Sequence, residues 1–462
     1  MRSSRLVFCF VFALVGLSQK VRCAAPDRYA LRGDILTADS VIPDGVIVIR
    51  GREIESVGTA VPVAMPVLAT GGLICPGFVD LHNHLTWNVF PRWKSGRKFP
   101  NRYEWQQYPE YLMALAGPHA TLIERGDGPA MARYCEVKAI AGGATSLAGL
   151  YPGDLGPRFK PPYRGMMRML DIGSGLHPDG VAEGVRYNVF PFFIEEAEAG
   201  EIRAGLKDHS IASLLVHLGE GSSQDASSIN EFQMLKARGL LLPGVTLIHG
   251  VSLHSAQFAE MARLAVGLVW SPRSNFELYG MTADVAEAKK AGVRIALAPD
   301  WSPTGSDGMI EELKYAAVWN AMRDTPLFTD RELVRMATSV PASLAGVQAR
   351  IGTLAPGMMA DLLVIRKGTG DAYHSLVHSG PADIEFAVVG GRPVYGKKAW
   401  AMDVAPDVSW TPLTVATVGR VVSLPADPAL GDWSDLCAHL DAELREVGSH
   451  LGPIAGDESA DK

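Results

Sequence analysis

The sequence predicts an α/β protein: a (β/α)8, TIM-like barrel with a small β-sandwich built from both chain ends. Three observations predict it. Short apolar runs alternate with helix-like segments through the middle of the chain, β-rich text stands on both flanks, and imidazoles and carboxylates fall just after several apolar runs. Buried strands alternating with helices predict a parallel sheet. About eight such units over ~250 residues predict a barrel whose strand ends converge on one mouth.

The N-terminus has the form of a secretory signal. Arg2 and Arg5 precede an apolar run over 6–17, which is shorter than the roughly 20 residues a membrane span needs. An uncleaved anchor is the alternative. Cys23 follows Lys20, Val21 and Arg22 rather than small residues, so lipid attachment is not expected. Residues 1–25 are read as a signal peptide, with the mature chain starting after Val21 and before Asp27. A secreted or periplasmic location and no stable membrane span after cleavage follow as expectations.

From 29 to 57 the text reads as short strands, with Val46-Ile47-Val48-Ile49 turning through Arg50-Gly51-Arg52 into Ile54. A second β-rich stretch lies far away, in Ala360-Asp361-Leu362-Leu363-Val364-Ile365 and in Phe386-Ala387-Val388-Val389 before Gly390-Gly391. Neither piece closes a sheet alone, so 26–75 and 346–400 are assigned to one sandwich. The barrel is assigned to 76–345, with apolar runs at 73–81, 144–148, 185–190, 213–218, 245–248, 266–270 and 293–298. Residues 401–462 form a C-terminal extension in which 433–451 reads as one amphipathic helix.

Composition narrows the classes. Hydrophobic residues make up 47% of the 462 and charged residues 20%, enough apolar surface to bury a large core and too much for a disordered chain. A formal net charge of -7 argues against a nucleic-acid-binding surface. A small-molecule substrate is the expected partner, and a homo-oligomer is compatible with the sequence. Of five cysteines, Cys9 and Cys23 belong to the signal region, and Cys75, Cys135 and Cys437 show no paired spacing.

The chemistry lies at the strand ends. The run over 73–81 ends in His82-Asn83-His84, and residues two apart on a strand face the same way. The run over 213–218 carries His217 and leads to Glu220, the run over 245–248 ends in His249, and the run over 293–298 leads into Pro299-Asp300. Any one of these can be a hydrogen-bonded rim histidine or a helix cap. Four on separate strands point to one site. His82, His84, His217 and Asp300 are the expected ligands of one divalent metal, zinc first, with iron or manganese as alternatives. Such a metal can lower the pKa of a bound water toward ~7. Glu220, three residues beyond His217, is placed to carry protons. His249 is either an electrophilic, hydrogen-bonding group on developing charge or a further ligand. Asp300 also has a proton-accepting role open to it.

From Tyr29 to Tyr395 the chain resembles the amidohydrolase superfamily, in the branch that includes the cytosine, guanine and S-adenosylhomocysteine deaminases. The residues that carry the resemblance are Cys75-Pro76-Gly77-Phe78-Val79-Asp80-Leu81-His82-Asn83-His84, His217-Leu218-Gly219-Glu220, Ile248-His249-Gly250 and Ser271-Pro272-Arg273-Ser274-Asn275. Ala298-Pro299-Asp300 and Gly352-Thr353-Leu354-Ala355-Pro356-Gly357 before Ala360-Asp361 complete them. The resemblance implies a barrel with an attached sandwich, a catalytic divalent metal and hydrolysis at a carbon bonded to nitrogen. Two-metal members carry a lysine on the fourth strand. Val185-Arg186-Tyr187-Asn188-Val189-Phe190 has none, and Lys207 falls in the following helix-like segment, so one metal is expected. Trp270 stands where purine-type deaminases tend to have a histidine, and either walls the pocket or packs inward. Trp87, Asn88, Asn275 and the loop 301–306 are the other pocket candidates.

The leading reading is deamination of a heterocyclic amine by water activated on the metal. Cyclic-amide opening of the imidazolonepropionase kind shares the His-x-x-Glu of His217 and Glu220. A periplasmic binding protein that has lost its chemistry would show a gap in the ligand or proton-transfer set, and the sequence shows none.

Overall fold

The computed structural model describes residues 27–61, 65–157, 159–160, 163–176, 183–427 and 429–455. The reading of 1–25 as a signal peptide lies outside them. Among the described residues are seventeen strands, β1 to β17 in chain order.

The middle of the chain builds two parallel arrays. β5 (Phe78–Asp80), β6 (Ala144–Leu147) and β7 (Arg168–Met169) form one of three strands. β8 (Glu183–Asn188), β9 (Ile211–Leu218), β10 (Val245–His249), β11 (Gly267–Trp270) and β12 (Ile295–Leu297) form one of five, each strand beside its successor in sequence. Every residue of β5, β6, β10, β11 and β12 is buried. Helices cover the outer face of such strands, which is why the sequence shows unbroken apolar runs rather than alternation. Backbone bonds join the arrays at both borders. Val185 N donates to Leu170 O at 3.3 Å beside β7 and β8, and Asp300 N donates to His82 O at 3.0 Å beyond β12 and β5. Asn83 and Asp300 add an isolated parallel bridge at the second border.

The flanks meet in one nine-stranded sheet. It combines β1 (Arg28–Leu36), β2 (Val41–Arg50), β3 (Glu53–Gly58) and β4 (Val67–Pro76) with β13 (Leu362–Ile365), β14 (Ile384–Val389), β15 (Arg392–Gly396), β16 (Thr411–Val415) and β17 (Val418–Val422). The two halves join where β13 lies antiparallel to β4, with Leu363 opposite Cys75. A separate apolar core that includes Leu31, Ile47, Ile74, Leu362, Val364 and Phe386 fills this part of the molecule.

Two boundaries differ from the sequence reading. The apolar run over 73–81 is two strands, because the chain leaves the nine-stranded sheet at Pro76 and enters the three-stranded parallel array at Phe78. Gly77 makes the transfer, and a Cβ there would stand 2.2 Å from Thr145 Oγ1. The sheet also continues past residue 400: β17 pairs with β15, Val422 opposite Tyr395, and β16 closes the edge as a hairpin. The C-terminal helix runs Trp433–Glu446 and buries Leu436, Leu440 and Leu444, one every fourth residue. Asp432 caps its start by accepting from Asp435 N, and the left-handed Gly448 follows its end. β7, absent from the sequence reading, is two residues long. Its Arg168 makes a bidentate pair with Asp361 at 2.6 and 3.0 Å, tying the parallel array to the nine-stranded sheet.

No helix among the described residues is long and apolar enough to cross a membrane.

Candidate metal centre

Five side chains from four strand ends meet at the C-terminal side of the parallel arrays. His82 and His84 follow β5. Asp80 shapes the turn that carries them, accepting from His82 N at 3.0 Å and from Asn83 Nδ2 at 2.7 Å. His217 sits inside β9, His249 ends β10, and Asp300 follows β12. His249 and Asp300 take left-handed backbone at φ 72° and 70°. Non-glycine residues adopt that conformation at a cost the surrounding structure must offset, and such positions cluster at functional sites.

The rings converge. Centroids are 4.8 Å apart for His82 and His217, 4.6 Å for His82 and His249, and 5.3 Å for His84 and His217. Asp300 Oδ1 lies 3.2 Å from His82 Nε2 and 3.5 Å from His84 Nε2. Three rings are oriented from behind through Nδ1. His82 Nδ1 meets Ser271 Oγ at 2.7 Å, His217 Nδ1 donates to Asn188 O at 3.2 Å, and His249 Nδ1 donates to Asn275 Oδ1 at 2.9 Å. Asn275 is fixed in turn by donating from Nδ2 to Thr282 Oγ1. Fixing Nδ1 turns Nε2 toward the common centre, as a metal-ligating histidine requires.

The Nε2 atoms of His82 and His217 are buried and make no hydrogen bond among the described residues, since the approach of Asp300 to His82 is close in distance but lacks hydrogen-bond geometry. A buried polar atom left so costs about 1–3 kcal/mol. Burial also pushes the His82, His84 and His217 imidazoles below their usual range, so they stand neutral with lone pairs exposed to the centre. Two three-donor sets result, His82 with His217 and His249, and His82 with His84 and Asp300, the donor atoms of each within 4.8 Å of one another. Orphaned nitrogens, neutral rings and a carboxylate fit a divalent cation such as zinc.

Glu220 is held differently. Its Oε1 accepts from Tyr279 OH at 2.7 Å, and its Oε2 lies 3.5 Å from Arg102 Nη1 and 3.6 Å from His249 Nε2. Arg102 is fully buried and also donates to Val189 O at 2.9 Å and Glu231 Oε1 at 3.0 Å. Glu231 accepts from Gly219 N at 2.6 Å and from Tyr103 OH. Trp105 Nε1 donates to Tyr279 OH at 2.8 Å. Arg102 and Trp105 bound a short helix, Arg102–Trp105, that Asn101 caps by accepting from Glu104 N. Two of its residues thereby reach the Glu220 carboxylate, one directly and one through Tyr279.

The sequence-predicted pocket residues separate into two groups. Trp87 stays at the mouth, stacked on His119 at 3.9 Å and edge-on to Trp301 at 5.4 Å, and Trp301 is 5.7 Å from His84. Asn88, Asn275 and Trp270 are buried and engaged elsewhere. Asn88 donates to Asn83 Oδ1 and accepts from Ser302 N, while Asn275 stands behind His249. Trp270 packs on Trp319 and Phe328 and donates to Thr282 Oγ1, so it is a core residue on the helix side and not a pocket wall. Lys207 lies in the helix Glu196–Asp208, and β8 carries no lysine. Tyr187 was not singled out in the sequence. Its ring lies 6.3 Å from His84 and its OH donates to Asn83 O at 3.0 Å.

Comparison with known proteins agrees with this geometry. Residues 203–394 match the model of the Amidohydrolase family. A 5-methylthioadenosine/S-adenosylhomocysteine deaminase of Desulforudis audaxviator is 25% identical over 416 residues, covering 80% of this chain and 92% of that one. An adenosine deaminase structure from Xanthomonas campestris with bound zinc superposes with a TM-score of 0.65 at 16% identity, over 91% of this chain and 98% of that one. The E. coli guanine deaminase gives a TM-score of 0.60 at 17% identity, over 80% and 100%. The family model places an Amidohydrolase family domain over residues 203–394, and over most of its length the chain is similar to deaminases and shares the fold of deaminase and hydrolase structures.

Proposed function

We propose that this protein hydrolyses a carbon–nitrogen bond of a heterocyclic amine and releases ammonia. The observation that carries it is the pairing of an imidazole cluster with orphaned, inward-turned nitrogens and a buried carboxylate, Glu220, held 3.6 Å from His249. His82, His84, His217 and Asp300 would hold one divalent ion, zinc first and iron or manganese otherwise. When bound, that ion supplies Lewis acidity and lowers the pKa of water.

The chain's own residues account for the rest. Water adds to the ring carbon that bears the amine, the C–N bond breaks, and the nitrogen leaves after gaining a proton. Glu220 is placed to take a proton from the attacking water and deliver it to the departing nitrogen. Tyr279 and Arg102 hold its two oxygens on station. His249, its Nδ1 proton committed to Asn275, turns Nε2 toward Glu220 Oε2 at 3.6 Å, where the ring once protonated at Nε2 donates to the developing charge, and Asp300 can accept a second proton. Among the cluster's side chains His84 is the exposed one, at 23% against 4% or less for His82, Asp300 and His249. Substrate therefore approaches over His84, between Tyr187 and Trp301, a gap between rings that favours a flat heterocycle.

The finer architecture belongs to the same reading. The two parallel arrays are one (β/α)8 barrel, supported by backbone bonds at both borders, and the nine-stranded sheet folds as a sandwich about its own core. Removal of 1–25 and export to a periplasmic or extracellular space complete it.

The test is metal analysis of the purified protein, followed by a screen of heterocyclic amines and cyclic amides with ammonia as the readout. Ammonia release supports the reading. A ring-opened acid without ammonia assigns cyclic-amide hydrolysis instead, and inertness toward both classes in metal-loaded protein overturns it.

A further inference from the structure

A separate pair of imidazoles lies outside the cluster at the strand ends. The connection from β13 to β14 carries the short helix Ala372–Val377, with His374 inside it and His378 as the first residue past its end. Residues four apart on a helix are neighbours on one face, the spacing at which two histidines reach the same ion. Both side chains belong to exposed residues, and their ring centroids are 4.3 Å apart.

Each ring has a nitrogen to spare. His374 Nδ1 donates to Asp330 Oδ2 at 2.9 Å, and Asp330 begins the helix Asp330–Ala337, which packs on β12. A carboxylate on Nδ1 fixes the ring and leaves Nε2 as the lone-pair donor, the arrangement that stands behind ligating histidines. The His378 ring makes no hydrogen bond among the described residues. Partial burial, with the charges of His374 and Lys314 acting against that of Asp330, holds it below the usual imidazole range, so it stands neutral near pH 7.

The local backbone keeps the pair in place. Asp371 caps the helix by accepting from His374 N at 2.8 Å, and Ala372, Leu376 and Val377 are buried, which turns the histidine face outward. Gly370 precedes the cap with left-handed backbone at φ 78°. A Cβ there would stand 2.7 Å from His374 Cδ2, so glycine leaves the ring its room.

The geometry points to a second metal site: His374 and His378 bind one divalent ion of the zinc class through two ring nitrogens, water completes its shell, and Asp330 acts behind His374 as a positioning residue. Imidazole donors suit zinc, nickel and copper, whereas magnesium and calcium take oxygen donors. None of these residues belongs to the set of His82, His84, His217 and Asp300, so the two sites should fill and empty independently.

Titration calorimetry of the full chain with zinc, with bound metal counted by elemental analysis, tests it. Beyond the tight ion of the strand-end cluster, one weaker saturable zinc per chain is expected. His374→Ala and His378→Ala should each abolish the weaker event. Asp330→Ala should weaken it about tenfold, and Asp330→Asn, which still accepts from Nδ1, should restore most of that loss. His450→Ala removes an exposed imidazole elsewhere and should change nothing, and the weaker event should persist in His82→Ala. Absence of a second event, the same event with magnesium in place of zinc, or its retention in His374→Ala or His378→Ala each overturns the proposal. Its loss in His450→Ala or His82→Ala does the same.

Discussion

The two halves of the candidate active site are satisfied to different degrees. On one side His82 and His217 present buried nitrogens with no hydrogen bond among the described residues. On the other, Glu220 is surrounded by Tyr279, Arg102 and His249, and each of those has a further partner behind it. The first half fits a divalent cation, which would satisfy its orphaned nitrogens. The second half is complete within the fold, so the proton carrier is positioned before any substrate arrives. Metal binding and proton transfer should therefore separate under mutation.

The largest effect expected is on the unsatisfied half. His217→Ala, and His82→Ala beside it, should lower metal content sharply while the melting temperature of the metal-stripped protein changes little. Each lost ring takes an unpaired buried nitrogen with it, which partly offsets the packing and the Nδ1 hydrogen bond that go too. Elemental analysis and thermal melts check both parts. Wild-type metal content in either variant breaks the assignment of that side as the metal half.

Glu220→Gln should do the reverse and keep the metal while losing turnover by about 10²- to 10⁴-fold, the usual worth of a positioned general acid–base. Gln retains size and reach but takes no proton. Asp300→Asn should lose rate and metal retention together, because a carboxylate ligand supplies charge as well as geometry. Metal content and ammonia release measured on both variants decide it. A Glu220→Gln protein that loses its metal as Asp300→Asn does would place Glu220 among the ligands.

How much of this was legible in the sequence follows from the same contrast. His82, His84, His217, His249, Asp300 and Glu220 could be read because each falls at or just past the end of an apolar run, and a parallel array delivers all such ends to one place. Arg102 and Tyr279 could not. Arg102 starts a four-residue helix in the long segment after β5, and Tyr279 lies at the end of the helix after β11. Their meeting at Glu220 is a tertiary event with no periodic signature. Trp270 was open in the sequence between a pocket wall and inward packing, and it packs inward from the end of β11; Asn275, a pocket candidate, lies on the following helix behind His249, because sequence spacing alone does not say which side of an element faces the mouth. In the flanking sheet, the hairpin of β16 and β17 was missed because it is an edge of five-residue strands with partly exposed faces, which gives little hydrophobic signal.

Arg102 offers a stability test of the completed half. Replacing it with Met leaves Glu231, fully buried, and Glu220, nearly so, without their cation. Breaking a buried ion pair by removing one partner costs about 3–5 kcal/mol. A fall in the unfolding midpoint of that order, with turnover also reduced, is the expected outcome. Full stability in Arg102→Met would mean that the hydrogen bonds from Gly219 N and Tyr103 OH hold Glu231 without it.

The smallest effect, and the one that most sharpens the comparison, is Tyr279→Phe. It removes one oxygen and leaves the ring, so packing is conserved and the only losses are the bond to Glu220 Oε1 and the one accepted from Trp105 Nε1. A hydrogen bond to a charged group is worth about 1.5–3 kcal/mol, but water can replace part of it at a carboxylate that substrate must reach. Stability should therefore drop by about 1 kcal/mol or less, and metal content should not change. Turnover should fall about tenfold with KM nearly constant, because Tyr279 acts through the orientation of Glu220 and does not touch substrate. A role in binding would raise KM instead, and a role in filling space alone would leave both constants untouched. Tyr279→Phe combined with Glu220→Gln is the decisive measurement. If Tyr279 works only by aiming the Glu220 carboxylate, the double variant should be no slower than Glu220→Gln alone, and additive losses would mean that Tyr279 contributes by a route of its own.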